Sequence, residues 1–241
     1  RTVTCTVTVN AIIVPTPTPS PPPCVGEVFP QDFDSVTAPA LPDSWRTELN
    51  DMLPTWSSTV PATSFANPHS LSFDGTDDYV SIPNAQSLDF TSAYTLSGWI
   101  KPDLLRSYEV IFTRSSSSAE DIAVYIQSGT SLVVIHNRNN GGAMTYKQNI
   151  TLPAAGVWTH IAVTYDTTNR WRVYYNGVPT TSGSITGAGN APLDTNKNWQ
   201  IGATLNIPTY GATNEFDGHI DNAIFYNRAL SPAEITALAT G

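Results

Sequence analysis

The chain has 241 residues, a formal net charge of −9 and 13% charged residues. This length accommodates one β-sandwich of ordinary size together with an extension. No run of basic residues occurs, so the electrostatic footprint of a nucleic-acid-binding protein is absent. No stretch approaches the roughly 20 apolar residues of a membrane-spanning helix. Two cysteines do not make a disulfide scaffold.

Within the N-terminal segment 1–14, residues 2–9 alternate between two kinds of side chain. Val and Cys fall on one face and Thr on the other, and this period of two with β-branched residues predicts a strand. An isolated strand is not stable in water, so it must pair with something. Three partners remain open: a preceding immunoglobulin-like module, the sheet edge of a neighbouring subunit as in donor-strand assembly, or its own domain.

A proline-rich spacer over residues 15–28 follows the strand and is predicted to adopt the semi-rigid polyproline conformation. Cys5 lies in the strand and Cys24 directly follows the proline-rich run 15–23, and both are at similar extended distances from residue 14. A disulfide between them is geometrically possible if the chain reverses there, and a secreted compartment would permit it. Intermolecular pairing fits the sequence equally well.

Residues 29–69 form a lead-in to the main domain. The segment from Phe33 to Trp45 resembles the opening strand and turn of other secreted bacterial jelly-roll modules. A separate domain of this size without disulfides or metal would not bury an adequate core. We therefore expect the lead-in to add an outer strand and a Trp45/Trp56 packing patch to a single sandwich spanning residues 29–241.

Regularly spaced strands with turn signals between them are predicted from residue 94 onwards. Asn176-Gly177 predicts a two-residue hairpin turn, and residues 180–196 predict a long surface loop. Ser231, Pro232 and Glu234 predict the capped start of a short C-terminal helix. The predicted strands cover residues 94–101, 108–114, 122–128, 131–137, 143–149, 157–165, 170–176, 197–203 and 214–227.

Five sequence pieces in this order resemble the laminin-G-like, concanavalin A-like jelly roll of bacterial surface proteins. The resemblance covers residues 68–241 and implies an all-β, two-sheet antiparallel sandwich that binds glycans or proteins, often with one calcium ion, and that is not catalytic. The pieces are LSFDGTDDYV (71–80), YTLSGWIKP (94–102), VWTHIAVTYD (157–166), YNG (175–177) and the segment 216–235, which ends in IFYNRALSPAEI.

An acidic turn, residues 74–78, is a candidate calcium site because calcium prefers oxygen ligands. The resemblance implies that the first and last strands are neighbours, which would bring Gly75, Asp77 and Asp78 close to Asp221. The inward alternation of the last strand steps by three at Asp221, which predicts a β-bulge there. The alternative interpretation is that the acidic residues cap local N–H groups of the turn.

Two other site hypotheses rest on the last strand and on aromatic residues. Glu215, Asp217, His219 and Asp221 share one strand face, but the third carboxylate of the glucanase motif is replaced by Ile220. A glycoside hydrolase is therefore the least favoured function. Weaker candidates for ligand contact are the aromatic residues Trp171, Trp199 and Tyr210.

The composition and the resemblance together predict a secreted or cell-surface bacterial recognition module of an adhesin-like protein. Its expected partners are a glycan or a protein on a surface, with a structural Ca²⁺ and without nucleic acid or membrane insertion. The alternative function is a subunit of an extracellular filament that assembles with other copies of itself through residues 1–14.

Overall fold

The computed structural model describes residues 27–31, 54–64, 66–90, 92–116, 119–129, 131–137, 143–152, 154–168, 170–184, 196–204 and 215–240. The predictions for residues 1–14, Cys5, Cys24, Trp45 and Tyr210 lie outside these ranges. The strands are β1 (Glu27–Gln31), β2 (Thr55–Ser57), β3 (Ser70–Asp74), β4 (Val80–Ile82), β5 (Tyr94–Pro102), β6 (Glu109–Ser116), β7 (Ala119–Gln127), β8 (Ser131–Asn137), β9 (Ala143–Thr151), β10 (Thr159–Tyr165), β11 (Arg170–Tyr175), β12 (Val178–Ser184), β13 (Trp199–Ile201) and β14 (Asp217–Tyr226). A 3₁₀ turn (Gln86–Leu88) and one helix, α1 (Pro232–Thr240), complete the described elements.

Two antiparallel sheets face one another, as predicted. The eight-stranded sheet has the order β12-β11-β10-β5-β14-β3-β2, and β1 also pairs with β14. The six-stranded sheet has the order β4-β13-β6-β7-β8-β9. The first half of β14 pairs with β3 and its second half with β1, while β5 lies along its other side. The last strand is therefore held on both sides.

The main core lies between the two sheets and is built by strand alternation. In β5, Tyr94, Leu96 and Ile100 point into it, so Ser97, Trp99 and Lys101 point to the outer face. Gly98 faces the core, because a Cβ there would come within 2.9 Å of the Phe112 ring.

The predicted bulge in β14 is confirmed. The register against β5 shifts between Asp221 and Ile224, and Asn222 adopts a φ of 47°. Ile220 and Ala223 are both fully buried in the core. The bulge thus keeps the apolar residues inside while inserting one extra residue into the strand.

The predicted hairpin and helix start are also confirmed. Asn176 and Gly177 have φ values of 48° and 78° and connect β11 to β12. At the start of α1 the Glu234 carboxylate accepts the Ser231 N–H at 2.8 Å, and the Glu234 N–H donates back to the Ser231 hydroxyl at 3.3 Å. The helix packs on the outer face of the eight-stranded sheet, where Tyr174, Tyr226 and Ile235 share a second apolar cluster.

Two predicted boundaries are wrong. The loop expected from residue 180 begins later, because Val178–Ser184 forms β12 and pairs with β11. Its Pro, Ser and Gly residues are poor strand formers, and pairing with β11 overrides that preference. The spacer ends before residue 28, because β1 begins at Glu27. The remainder of the predicted loop that β12 does not occupy, residues 185–196, lies outside the described ranges apart from Asn196.

No helix in the part of the chain that the structure describes is long and apolar enough to span a bilayer.

Gly218 is expected to be essential for the β14–β5 contact. Its φ is 141°, and an added Cβ would lie 2.2 Å from the Lys101 carbonyl oxygen. Gly218→Ala should lower the free energy of unfolding by roughly 2–4 kcal/mol, as measured by urea denaturation. Gly156→Ala is the matched control, because Gly156 also has a positive φ but no atom within 4 Å of the added Cβ; it should cost about 1 kcal/mol. Equal losses in both variants would show that the close contact is unimportant.

Candidate functional site

The aromatic residues predicted to contact ligand lie in the core. Trp171 and Trp199 are 1% and 0% exposed and belong to the main apolar cluster between the sheets. Their indole rings therefore offer no face to an external ligand, and this prediction is wrong for both. Arg114 packs over Trp199 at 5.4 Å and forms an ion pair with Asp121 at 3.2 Å, both in the interior.

The acidic turn brings three carboxylates together. One oxygen each of Asp74, Asp77 and Asp78 lies within 4.8 Å of the others. The Asp78 carboxylate accepts the Asp74 N–H at 2.8 Å, and the Asp74 carboxylate accepts the Thr76 N–H at 2.8 Å. These bonds are the local capping interactions of the alternative interpretation. Burial raises the pKa of Asp78 to about 6. The hydrogen bond from the Asp74 N–H opposes this shift, and repulsion from the Asp74 and Asp77 carboxylates adds to it.

An arginine supplies positive charge beside this turn. Arg106 donates to the Gly75 carbonyl at 3.3 Å and also pairs with the Asp217 carboxylate. The carbonyl predicted as a calcium ligand therefore already has a cationic partner. Glu109 lies nearby, 1% exposed, and accepts the N–H groups of Arg106 and Asp217. Its pKa is raised mainly by burial.

Asp221 does not join the acidic turn, so this part of the predicted calcium site is wrong. β14 does pair with β3, but Asp217 is the residue opposite Asp74. Asp221 lies four residues further along, about 13 Å away at the rise of a strand. Its buried carboxylate instead accepts the Asn67 side-chain amide at 2.8 Å and the Asn222 N–H at 2.8 Å.

The outer face of β14, β5 and β10 carries two cross-strand rows of polar and aromatic residues. The first row is His219, Lys101 and Trp158, and the second is Asp221, Trp99 and His160. The rings of Trp158 and His219 lie 6.0 Å apart and those of Trp99 and His160 lie 5.4 Å apart, both edge-on. Trp99 is buried on this outer face, and Trp158 is half-buried.

We define the outer-face patch as Asn67, Lys101, Asp103, Trp158 and His219. Its elements are the segment before β3, the end of β5, the residue before β10, and β14. The imidazole of His219 contacts the Ser57 hydroxyl at 3.1 Å through Nε2 and lies 3.8 Å from the Asp103 carboxylate through Nδ1. Burial lowers the pKa of His219; the Asp103 carboxylate opposes this shift, and the Lys101 ammonium adds to it. The His219 ring is therefore neutral at neutral pH.

Buried polar atoms without a hydrogen-bond partner occur in and beside this patch. They include Oδ1 of Asn67, Nε1 of Trp158 and Nδ1 of His219 in the patch, and Nδ1 of His160 next to it. Such atoms are uncommon in folded proteins and each one requires an explanation. The predictions from sequence missed this patch, because its residues are far apart in the chain and match no motif.

The enzyme hypothesis concerns Glu215 and Asp217. The Asp217 carboxylate pairs with Arg106, and one carboxylate oxygen of Glu215, Oε2, is buried without a hydrogen-bond partner. Asp221 is 0% exposed, and four residues along one strand separate it from Asp217 by about 13 Å, beyond the roughly 5–9.5 Å between glycosidase carboxyls.

A family model described as the concanavalin A-like lectin/glucanases superfamily matches residues 74–236, which is more than half of the chain. The chain belongs to this superfamily. No curated protein sequence matches the chain.

Solved structures of binding domains share the fold of this superfamily member. The binding domain of Paraclostridial Mosquitocidal Protein 1 superposes with a TM-score of 0.66 at 17% identity, covering 89% of this chain and 52% of that one. The receptor binding domain of botulinum neurotoxin D superposes with a TM-score of 0.61 at 16% identity, and the match covers 89% of this chain and 52% of that one. This chain therefore spans about half the length of these two structures.

Domain 4 of AbnA, a GH43 extracellular arabinanase from Geobacillus stearothermophilus, was solved in complex with arabinotriose. It gives a TM-score of 0.54 at 21% identity, covering 78% of this chain and 81% of that one. At these identities the likeness establishes the fold of the chain.

The buried imidazole of His160 predicts a pH dependence of stability. Burial lowers the pKa of His160 from 6.5 to about 4, so between these values the unfolded chain binds a proton that the folded chain does not. The contribution of His160 to the free energy of unfolding should be fully present above pH 6.5 and should fall by about 3 kcal/mol as the pH decreases to 4. Urea denaturation at several pH values should show this slope in the wild type and a smaller slope in His160→Gln. An unchanged slope in the variant would contradict the assignment.

Proposed function

We propose that the chain is a non-catalytic recognition module of a larger secreted or surface-displayed protein, and that its ligand is a glycan. The observation that carries this proposal is the outer-face patch, where a half-buried indole lies among polar atoms that lack partners. Ligand sites commonly combine an aromatic surface with a few fixed polar groups. Membership of a lectin-containing superfamily supports the same class of function.

The carboxylates of β14 support binding rather than hydrolysis. Asp217 is engaged by Arg106, and Asp221 is fully buried against Asn67. A hydrolase would need one protonated and one ionised carboxyl on opposite sides of a bound sugar. The described residues of β14 place their acidic side chains in structural contacts instead.

Glycan binding without cleavage is the expected result of an array experiment. The labelled protein should bind a subset of immobilised oligosaccharides, and the same oligosaccharides incubated with the protein should keep their mass. Shorter products in the mass spectrum would identify the protein as a hydrolase. Binding to no glycan, together with concentration-dependent polymers in light scattering, would favour the filament subunit assembling through residues 1–14.

A structural calcium ion at the acidic turn is part of the same proposal. The donor set of Asp74, Asp77 and Asp78 fits a hard cation that takes oxygen ligands, and a cation there would counteract the burial and the repulsion that raise the Asp78 pKa. Arg106 beside Gly75 weakens such a site by charge repulsion.

Because a ligand that binds only the folded chain stabilises it, calcium bound at the acidic turn should raise the melting temperature of the protein by a few degrees. The test compares thermal unfolding at pH 7.5 with calcium and with chelator. Asp77→Asn should abolish the difference, because it removes a ligand charge. Asp221→Asn is the control and should retain the difference, since Asp221 lies away from the turn. Identical melting temperatures with calcium and with chelator in the wild type would rule the ion out.

A further inference from the structure

We propose that the outer-face patch is the glycan site itself and that it holds one uncharged sugar residue against Trp158. This inference rests on the proposed function and adds the location and charge of the ligand. Three properties of the patch support this inference: the fixed orientation of the Trp158 indole, the unpaired polar atoms and the charge balance.

The sheet fixes the indole of Trp158 at one end of a cross-strand row. Lys101 lies opposite His219 in the register of β5 and β14, and Trp158 directly precedes β10, one residue before Thr159 pairs with Ile100. The Trp158 and His219 rings meet edge-on with 67° between their planes. A ring held in this way has lost its rotamer freedom before any ligand arrives, which reduces the entropic cost of binding.

The unpaired atoms of the patch match the chemistry of sugar hydroxyls. Nε1 of Trp158 is a donor and Oδ1 of Asn67 is an acceptor, and neither has a hydrogen-bond partner. The other end of the Asn67 amide is fixed by its 2.8 Å bond to Asp221. Both atoms are covered in the structure. A hydroxyl donates one hydrogen bond and accepts others, so a ligand with adjacent hydroxyls would pair with both atoms once the side chains that cover them move aside. Leaving such buried atoms unpaired is unfavourable.

Charges within the patch balance one another. The Asp103 carboxylate lies 3.8 Å from the Lys101 ammonium and 3.8 Å from Nδ1 of the neutral His219. Because the Lys101 and Asp103 charges offset each other, the accessible surface of the patch is balanced in charge. The Asp221 carboxylate beneath it is buried and accepts hydrogen bonds from Asn67 and the Asn222 N–H. An uncharged sugar is the class of polyhydroxylated ligand that this balance favours.

Exposed apolar side chains occur in the two loops next to the patch residues Asp103 and Trp158. Leu104 and Val157 are 55% and 51% exposed, and their loops are joined by the Gly156 N–H, which donates to the Pro102 carbonyl at 2.7 Å. The remaining large exposed apolar side chain in the described residues is Val178, on β12. Exposed apolar groups next to a tryptophan suit the C–H face of a sugar ring.

The indole N–H of Trp158 gives a direct readout. Two-dimensional ¹⁵N NMR of the isotope-labelled chain resolves indole resonances, and Trp158→Phe identifies the one from Trp158. If that variant does not fold, backbone-linked assignment of the wild type replaces it. The titration uses arabinotriose and a panel of other neutral oligosaccharides, with sialyllactose as an anionic comparison.

We expect a saturable shift of the Trp158 indole resonance with at least one neutral oligosaccharide, and no saturable binding of sialyllactose. Asn67→Ala removes the unpaired acceptor and should weaken binding roughly tenfold. Val178→Ser is the matched control, because Val178 is 64% exposed on β12, outside the patch; it should leave the affinity unchanged.

Three results would overturn the inference. A glycan that binds without moving the Trp158 resonance would place the site elsewhere, while leaving the recognition function intact. Preferential binding of sialyllactose would contradict the uncharged ligand class. Saturable binding of no oligosaccharide by NMR, combined with no hit on the array, would remove the glycan function and the site together.

Discussion

The pairing of β14 with β5 is the interaction on which the rest of the structure depends. It places a strand from the C-terminal end of the chain at the centre of the eight-stranded sheet, where β3 and β1 also pair with it. The strands that build the core thus come from opposite ends of the described sequence. Contacts of such long sequence separation form late and cooperatively, so any weakening of β14 affects both the core and the outer face.

The same pairing positions the candidate site. His219 belongs to β14 and Lys101 to β5, while Trp158 leads into β10, the next strand of the sheet. The close approach of Gly218 to the Lys101 carbonyl brings the first two strands together. A shift of one residue in this register would move His219 to the core and Ile220 to the surface. The bulge at Asn222 restores the inward alternation without disturbing the part of the strand that forms the patch.

Charge is distributed unevenly over the molecule. The acidic turn and its neighbours Asp217 and Glu109 share Arg106 at one end of the sheet, while the outer-face patch pairs Lys101 with Asp103. Arg114 and Asp121 neutralise each other in the interior. The proposed calcium ion and the proposed sugar therefore rest on separate arrangements: three clustered carboxylates in the acidic turn, and one unpaired donor with one unpaired acceptor in the patch.

Local patterns in the sequence predicted much of the fold. The alternation of β14, its bulge, the Asn176-Gly177 turn and the cap at Ser231 all depend on neighbours within a few residues, so they are visible in the chain itself. β12 was missed because its Thr, Ser and Gly residues pair only in the context of β11. The superfamily resemblance supplied the pairing of the first and last strands.

The site was less predictable, because face and register decide it. A tryptophan in a strand can face either the core or the outer side of the sheet. In the structure Trp171 and Trp199 are buried, whereas Trp158 is half-buried. The position of Asp221 depended on a register that no local pattern reveals, and a difference of four residues removed it from the acidic turn. Arg106 reaches Asp217 across 111 residues of sequence, which no spacing rule anticipates.

A crystal structure with a bound neutral oligosaccharide would locate the sugar on the molecule. We expect one sugar ring against the Trp158 indole, with hydroxyls within hydrogen-bond distance of Nε1 of Trp158 and Oδ1 of Asn67. A sugar bound on the six-stranded sheet or at the acidic turn, with Trp158 and Asn67 untouched, would contradict this expectation.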